Sequence, residues 1–399
     1  MKNDDIVITS AFRTPIGNFC GSLSALTASQ LGTEVIKKCI ENSKLDQNEI
    51  DTILMGQVLQ AGCGQNPARQ SAIGAGIPKE KTASTINQVC GSGLFSVALG
   101  YSLLKCDDAK IVVAGGQESM SNAPHYIKFR DFIKMGDIDV KESLINHKLK
   151  DSMITDGLLD AYNLYHMGMT AENVAKKFNI KKEEQDKFAL NSQLKAIDAI
   201  KNNRFKEEIV EIKNEKFTFD TDEYPRKNLS LESLSRLKTI FKKNGTVTAG
   251  NSSGINDGAA SLVLMSSKTA SQRKIEPLVR IVSWAQSGVD PAIMGTGPIP
   301  ATKKALEKAG WKINDLDLIE SNEAFASQSL AVAKELSFDL KKLNVNGGAI
   351  ALGHPIGASG TRILVTLIHE MKKRKLKKGL ATLCVGGGMG IAMCIESAI

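Results

Sequence analysis

The sequence predicts an α/β protein made of two similar halves, with a further domain inserted into the first half. Strand-like and helix-like segments alternate along most of the 399 residues, as they do in α/β proteins. The last third repeats features of the first third at a nearly constant offset. A long charged segment before the last strand of the first half lacks the alternation, which indicates the insertion.

In the first half, short apolar runs predict strands and amphipathic runs predict helices. The predicted strands are residues 6–10, 50–55, 111–114 and 260–265, and the predicted helices are 27–42 and 92–104. We expect the third strand to end at Gly115 and Gly116.

The second half repeats this order. Its predicted elements are strand 279–283, helix 301–309 stopped by Gly310, and strands 380–385 and 391–395 joined through 386–388. Residues 50–51 resemble 316–317 at an offset of 266, and 92–93 resemble 359–360 at an offset of 267. Duplication explains both offsets, and generic alternation of strands and helices is the alternative that the sequence leaves open.

The segment between the predicted strands 111–114 and 260–265 of the first half is too long for a structureless loop. Residues 121–249 are rich in Lys, Asp, Glu and Asn, and we interpret them as an inserted domain that carries ligand contacts. We therefore expect an N-terminal half at 1–120 plus 250–275 and a C-terminal half at 276–399.

Charge and hydropathy limit the partners. The net charge of +8 suits an anionic small ligand. The densest basic run, residues 372–378, has no interleaved aromatic residue, so we expect no nucleic-acid partner. No apolar stretch is long enough to cross a bilayer and no targeting signal is evident, which predicts a cytoplasmic protein without a membrane partner.

Seven cysteines are present, an odd number without a CxxC pair. This argues against a disulfide framework and against a zinc cage, so we expect reduced thiols and no metal site. The cysteines at 20, 39, 63, 106 and 394 lack a reactive setting, and we interpret them as inert.

Cys90 lies between an extended run and a predicted helix. The unpaired N–H groups and the macrodipole of a helix N-terminus favour a thiolate, so Cys90 is a candidate nucleophile. Gly91 and Gly93 leave room for a ligand and for close helix packing. A buried structural cysteine is the alternative interpretation.

His354 and Cys384 lie in two glycine-rich segments. A histidine held before Pro355 is suited to act as a base or an oxyanion donor. Cys384 precedes three glycines at a strand end, where we expect its thiol to lie open to a ligand. Neither segment fits the usual nucleotide-phosphate motifs.

Four blocks resemble signatures of the thiolase family. They are residues 87–93 (NQVCGSG), 321–325 (SNEAF), 348–360 around His354, and 384–390 (CVGGGMG). The resemblance extends from residue 6 to the C-terminus. It implies the thiolase-like fold, in which two similar layered halves carry a loop domain inserted in the first, in agreement with the duplication above.

The resemblance also implies a role for each residue of the site. Cys90 would be the nucleophile that takes an acyl group from a thioester, activated by His354. Cys384 would be the acid/base at the α-carbon of the second thioester. His354 and a water held by Asn322 would form one oxyanion hole, and the N–H groups of Cys90 and Gly386 a second. No cofactor would be required, because coenzyme A thioesters are the substrates.

The family's coenzyme A positions are similarly implied. They correspond to Leu158, His166, Met167, Arg226, Ser233, Ala249, Ser253, Met294, Ala324 and Phe325. The block at 165–173 resembles the short-chain, acetoacetyl-CoA-forming branch, in which Met167, Met294 and Phe325 would exclude long acyl chains. Core packing is the alternative interpretation of these three side chains.

The implied activity is acetyl-CoA C-acetyltransferase, with acetyl-CoA, acetoacetyl-CoA and CoA as partners. The alternatives are a broader-chain 3-ketoacyl-CoA thiolase, a decarboxylating ketosynthase, and a non-catalytic protein that binds CoA or another polyanion. Ketosynthases generally have histidine where Asn322 stands. The resemblance further implies a homotetramer, in which residues 129–140 resemble the loop that joins dimers.

Overall fold

The computed structural model describes residues 2–128, 148–213 and 218–398, and a mixed β-sheet runs through them. Its strands in the first half are β1 (Ile6–Arg13), β2 (Gly17–Asn18), β3 (Thr52–Gly56), β4 (Thr82–Ile86), β5 (Ile111–Ser119) and β10 (Asn256–Ser266). Those in the second half are β11 (Val279–Gly288), β12 (Leu318–Ser321), β13 (Lys378–Val385) and β14 (Met389–Ser397). Two short hairpins lie apart from it, β6 (His125–Tyr126) with β7 (Lys150–Asp151), and β8 (Ile212–Lys213) with β9 (Thr218–Phe219).

Helices cover the sheet and also form part of the segment between β5 and β10. They are α1 (Ala28–Ser43), α2 (Pro67–Gly74), α3 (Ser92–Lys105), α4 (Met167–Lys177), α5 (Lys182–Lys201), α6 (Leu231–Ser235), α7 (Ser267–Gln272), α8 (Pro298–Ala309), α9 (Ala326–Glu335), α10 (Ala349–Leu352) and α11 (Ser359–Arg374). A π-helical turn occupies Met153–Leu158. None of the described helices is long and apolar enough to cross a membrane.

The strand order repeats between the halves and confirms the predicted fold class. The first half runs β1-β10-β5-β3-β4 and the second β11-β14-β13-β12. The inner pairs β3–β5 and β12–β13 are parallel, whereas β5–β10 and β13–β14 are antiparallel. An antiparallel contact of β1 with β11 joins the halves into one sheet.

Equivalent residues perform the same structural task in each half. The Asp51 carboxylate accepts the N–H groups of Lys110 and Ile111, where β5 begins. The Asp317 carboxylate accepts those of Lys377 and Lys378, where β13 begins. Both aspartates therefore fix the start of a central strand, which explains the sequence repeat at 50–51 and 316–317.

Helices α3 and α11 meet at their N-terminal ends through glycines. A Cβ atom at Gly93 would lie 2.9 Å from the backbone nitrogen of Thr361, and one at Gly360 would lie 2.5 Å from that of Leu94. The two contacts are reciprocal, since each glycine faces the residue that follows its own counterpart. The helices therefore cross at a pseudo-two-fold axis that relates the two halves.

The structure extends several predicted elements. β5 continues to Ser119 rather than ending at the glycine pair, because Gly115 and Gly116 fit where other chain segments press on the strand. A Cβ at Gly116 would lie 2.2 Å from the Gly357 carbonyl oxygen. Gly310 has φ +66° and caps α8, as expected. The three predicted domain boundaries stay predictions, and residues 129–140 lie outside the described residues.

Candidate active site

A strained turn presents Cys90. Val89, which precedes it between β4 and α3, has φ +45°, a conformation that β-branched residues rarely adopt. The Ser92 hydroxyl donates to the Val89 carbonyl at 2.6 Å and accepts the Gln88 N–H at 2.8 Å. Gly91 closes the turn with a bond to the Gln88 carbonyl. The turn thereby holds the Cys90 side chain at the wall of a cavity.

The Cys90 thiol is neutral in the free protein. Burial raises its pKa to about 11, and a backbone hydrogen bond from Gly386 lowers it by less. The helix N-terminus favours a thiolate, as expected, but desolvation of the buried sulfur outweighs this effect. Activation of this thiol needs a base at the moment of reaction.

His354 is the candidate for that base, because it lines the same cavity as Cys90. Burial, aided by the charge of Arg362, lowers the pKa of the imidazole to about 3, so the ring is neutral. Its Nδ1 lies 2.6 Å from the Ser359 hydroxyl, which itself donates to the Pro355 carbonyl at 2.9 Å. Nδ1 therefore carries the hydrogen. Nε2 has no hydrogen-bond partner and keeps its lone pair.

Asn322 lies directly behind this histidine. It follows β12, and its N–H donates to the carbonyl of Thr382 on β13. Its Nδ2 is 3.5 Å from His354 Nδ1, and because both atoms carry hydrogens in this tautomer they form no hydrogen bond; the Asn322 Oδ1 has no partner either. This buried amide therefore has hydrogen-bonding capacity left to bind a water or a polar group of a substrate.

Cys384 is closed off rather than open to a ligand. It ends β13 with no exposed surface, and it packs in an apolar cluster with Met167, Met294, Ala324 and Phe325. The predicted exposure is therefore wrong, since those side chains cover the strand end. Burial, with a contribution from the neighbouring Cys90, raises the pKa of the Cys384 thiol well above its usual range. The Cys90 and Cys384 side chains are therefore close enough for the charge of one to affect the pKa of the other.

The turn after Cys384 needs glycine. Gly387 and Gly388 have φ +82° and +84°, and the turn leads directly into β14. This geometry turns the Gly386 N–H back toward Cys90, as the hydrogen bond above shows.

A cavity of about 750 Å³ opens in front of these groups. The predicted residues that line it are Cys90, Leu158, His166, Met167, Arg226, Ala249, Ser253, Met294, Ala324, Phe325, His354 and Gly386. Asn322 and Cys384 lie behind its wall. Ser233 is outside it, exposed on α6, where its hydroxyl donates to the Ser230 carbonyl.

The segment between β5 and β10 of the first half supplies one wall and the mouth of the cavity. His166 Nδ1 accepts the Gly168 N–H at 3.0 Å, which leaves Nε2–H as a donor. The His166 ring stacks on Phe241 with centroids 4.6 Å apart. At the mouth, the Arg226 guanidinium lies over the Tyr224 ring, 5.4 Å from its centroid. A long ligand with an apolar arm and an anionic end suits this arrangement.

Several residues of the site had no recognisable sequence signal. Ser359 belongs to the sequence repeat, and Phe241 is an aromatic residue in a charged stretch. Asn256, whose Oδ1 accepts the His354 N–H at 3.0 Å, begins β10 beside Asp257. Glu118 lies between Gln117 and Ser119 near the end of β5, so no sequence pattern singles out either residue. Among the described residues, no group of three His, Cys, Asp or Glu side chains could hold a metal ion.

The arrangement is a pair of thiols with a neutral histidine and an amide at the end of a cavity, on a duplicated α/β fold. Sequence models of the thiolase N-terminal and C-terminal domains match residues 6–268 and 275–397. The chain belongs to the thiolase family.

Individual relatives agree over the full length. The chain is 56% identical over 400 residues to the acetyl-CoA acetyltransferase of Rhizobium meliloti (strain 1021), covering 99% of this chain and 100% of that protein. It is 56% identical over 401 residues to the acetyl-CoA acetyltransferase of Shinella zoogloeoides, covering 100% of both.

Two solved structures share the fold. The Bacillus anthracis acetyl-CoA acetyltransferase superposes with a TM-score of 0.93 at 42% identity, over 98% of each chain. Human mitochondrial 3-ketoacyl-CoA thiolase, solved in complex with CoA, has a TM-score of 0.93 at 41% identity, covering 100% of this chain and 99% of that one.

Proposed function

We propose that this chain is an acetyl-CoA C-acetyltransferase. It joins two molecules of acetyl-CoA into acetoacetyl-CoA and CoA, reversibly, through an acetyl group held on Cys90. The observation that carries the proposal is the cavity lined by Cys90 and the neutral His354, with the Cys384 thiol next to Cys90 behind its wall. The names of the full-length relatives support the same activity.

The first half-reaction transfers an acetyl group to Cys90. His354 Nε2 takes the thiol proton, and the sulfur attacks the thioester carbonyl. The N–H groups of Cys90 and Gly386 stabilise the resulting oxyanion. The C–S bond to CoA then breaks, and the departing sulfur receives the proton of Cys384. Acetyl-Cys90, an imidazolium at His354 and a thiolate at Cys384 remain.

The second half-reaction forms the carbon–carbon bond. The Cys384 thiolate removes an α-proton from a second acetyl-CoA, and its raised pKa makes it a strong base for this carbon acid. The imidazolium of His354, with a water held by Asn322, stabilises the enolate oxygen. The enolate attacks acetyl-Cys90, acetoacetyl-CoA departs, and the Cys90 sulfur regains its proton from His354. All three groups return to their starting state.

Coenzyme A lies along the cavity in this proposal. The segment 121–249 supplies the contacts at Leu158, His166, Met167 and Arg226, and its Ala249 adjoins Ser253 on the same wall. The guanidinium of Arg226 at the mouth suits a phosphate, and the net charge of +8 favours a polyanionic ligand. Ser233, exposed on α6, would reach only the part of CoA that extends outside the cavity.

The test is label transfer combined with thiolysis. Incubation with acetyl-labelled acetyl-CoA should place the label on the peptide that contains Cys90. Cys90→Ser should lose labelling and reduce condensation and thiolysis about 10³-fold or more, whereas Cys384→Ala should still be labelled but fail to condense. Substantial turnover by Cys90→Ser would contradict the proposal.

The same experiment separates the alternatives. Binding of acetyl-CoA without any label on Cys90 would indicate a non-catalytic binding protein. Release of carbon dioxide from a malonyl thioester at the rate of condensation would indicate a ketosynthase.

We also infer a cytoplasmic homotetramer. The seven cysteines are all free thiols, which suits a reducing compartment. β4 is an edge strand with half-exposed residues, and such an edge favours pairing with a second chain. Light scattering coupled to size exclusion should give the mass of four chains, and a monomer mass would contradict the assembly.

A further inference from the structure

Glu118 is a buried carboxylate that the proposed reaction does not use. It lies near the end of β5 with no exposed surface. No cationic side chain of the described residues forms a salt bridge with it. Burial raises the pKa of this carboxyl to about 8. A carboxylate retained in such a place has a structural or functional reason.

Three backbone N–H groups from two loops converge on this carboxylate. Gly357 donates at 2.8 Å and Val58 at 3.0 Å to one oxygen, and Leu59 donates at 3.1 Å to the other. Gly357 can approach Glu118 only because it has no side chain. A Cβ at this position would lie 2.7 Å from the carboxylate oxygen that accepts its N–H. Glu118 therefore ties together two loops by hydrogen bonds, in addition to the apolar packing between them.

Both loops flank reactive groups. Gly357 is in the loop that carries His354, and it belongs to the second half of the fold. Val58 and Leu59 pack in one apolar cluster with Ile356 and Cys90. The bonds of Glu118 thus span the space between the base and the nucleophile.

A second strand holds the other end of the histidine loop. Asn256 on β10 accepts the His354 N–H, and β10 pairs with β5 so that Gly258 lies opposite Glu118. The position of His354 is therefore set from both sides by adjacent strands of the half to which it does not belong.

We propose that Glu118 is a positioning residue for the thiolase reaction: its carboxylate fixes the loop of His354 against the loops around Cys90, so that Nε2 meets the thiol. This role rests on the proposed function of His354 as the base for Cys90. Glu118 touches neither substrate nor a reacting atom, and it acts through the Gly357 N–H.

The charge of Glu118 has an opposite effect, which makes the proposal testable. Its negative charge contributes to the raised pKa of the Cys90 thiol. If Glu118 acted only as a nearby charge, its neutralisation would make Cys90 more reactive. If Glu118 positions His354, its replacement by Gln makes Cys90 less reactive. The Gln amide presents an N–H group to at least one of the three backbone N–H donors, so the loop shifts and His354 moves away from Cys90.

The experiment compares Glu118→Gln with Asp51→Asn. Asp51 is the matched control, since its carboxylate also accepts backbone N–H groups on β5, but at the opposite end of the strand. The rate of Cys90 alkylation by iodoacetamide is measured by peptide mass spectrometry at pH 9, where the Glu118 carboxyl, with a pKa of about 8, is mostly ionised. The kcat and KM for acetoacetyl-CoA thiolysis are measured as well. Thermal unfolding monitors folding. Glu118→Asp, which keeps the charge on a shorter arm, is read in the same way if Glu118→Gln does not fold.

We expect Glu118→Gln to reduce kcat at least tenfold with KM within about twofold, and to slow alkylation at least fivefold. Asp51→Asn should leave all three within about twofold. The double variant Glu118→Gln/His354→Ala should alkylate no more slowly than His354→Ala alone, because both changes remove the same base.

Alkylation by Glu118→Gln as fast as or faster than the unsubstituted protein overturns the proposal, as do additive effects in the double variant. Alkylation requires no CoA substrate, so it tests the positioning of His354 separately from the proposed acetyltransferase function. An unsubstituted protein without thiolase activity contradicts the proposed function, while slowed alkylation in Glu118→Gln would still support the positioning of His354.

Discussion

The Ser359 hydroxyl lies 2.6 Å from His354 Nδ1 and simultaneously donates to the carbonyl of Pro355. Since the hydroxyl hydrogen is used, the imidazole must donate from Nδ1. The bond therefore orients the ring and keeps the Nε2 lone pair free for Cys90.

Removal of this hydroxyl should impair the base. We expect Ser359→Ala to lower kcat for thiolysis about 10- to 100-fold, because the ring loses the acceptor that fixes its tautomer. Ser102→Ala is the matched control, since that hydroxyl also bonds the carbonyl four residues earlier but lies far along α3. Steady-state kinetics check the result, and an unchanged kcat in Ser359→Ala would contradict the assignment.

The alkylation of Cys90 should depend on pH without a plateau near neutrality. Burial raises the pKa of this thiol to about 11, so the thiolate fraction grows about tenfold for each pH unit below that value. In His354→Ala, where no imidazole takes the thiol proton, the rate with iodoacetamide should therefore rise steadily from pH 6 to 9. A plateau reached by pH 7 would show that the resting group is already a thiolate.

The side chain of Met294 should limit acyl length. It lies in the apolar cluster around Cys384 and lines the cavity. We expect Met294→Ala to raise kcat/KM for 3-ketohexanoyl-CoA relative to acetoacetyl-CoA by about 10-fold or more.

Met371→Ala is the control for that variant. Met371 is equally buried, but it lies in the main core on α11. Both substitutions should destabilise by about 2–5 kcal/mol in denaturant unfolding. A parallel change of the chain-length ratio in both variants would show that loosened packing, and not the size of the acyl pocket, decides specificity.

The crossing of α3 and α11 should not tolerate a methyl group. Gly93→Ala would place its Cβ 2.9 Å from the Thr361 nitrogen, a backbone atom that cannot turn aside. We expect a loss of about 1–3 kcal/mol in the free energy of unfolding. Gly288→Ala, whose Cβ would meet nothing closer than 3.9 Å, should be neutral. Equal stability of both variants would refute the close crossing.

Repetition made most of the fold predictable. Asp51 and Asp317 recur because each fixes the start of a central strand, and Ser92-Gly93 recurs as Ser359-Gly360 because both helices need a glycine where they cross. Because both halves have these structural requirements, the same residue types recur at the same spacing. The fold class and the similarity of the two halves follow from them.

Packing and desolvation were not predictable. The sequence places Cys384 before glycines, but the side chains that cover it come from three separate segments of the chain. The helix N-terminus near Cys90 is visible in the sequence, whereas the burial that outweighs it is not. Glu118 escaped notice because its partners are backbone N–H groups, which any residue provides.

The repeat also relates the reactive cleft to a second cleft. With an offset of 267, the counterpart of Cys90 is Gly357 and the counterpart of Cys384 is Gln117. The cleft related to the reactive one by the pseudo-two-fold axis is therefore occupied by the contact between Gly357 and Glu118. Of the two related clefts, only the one at Cys90 and Cys384 carries thiols, and the other holds the hydrogen bond that we propose aligns it.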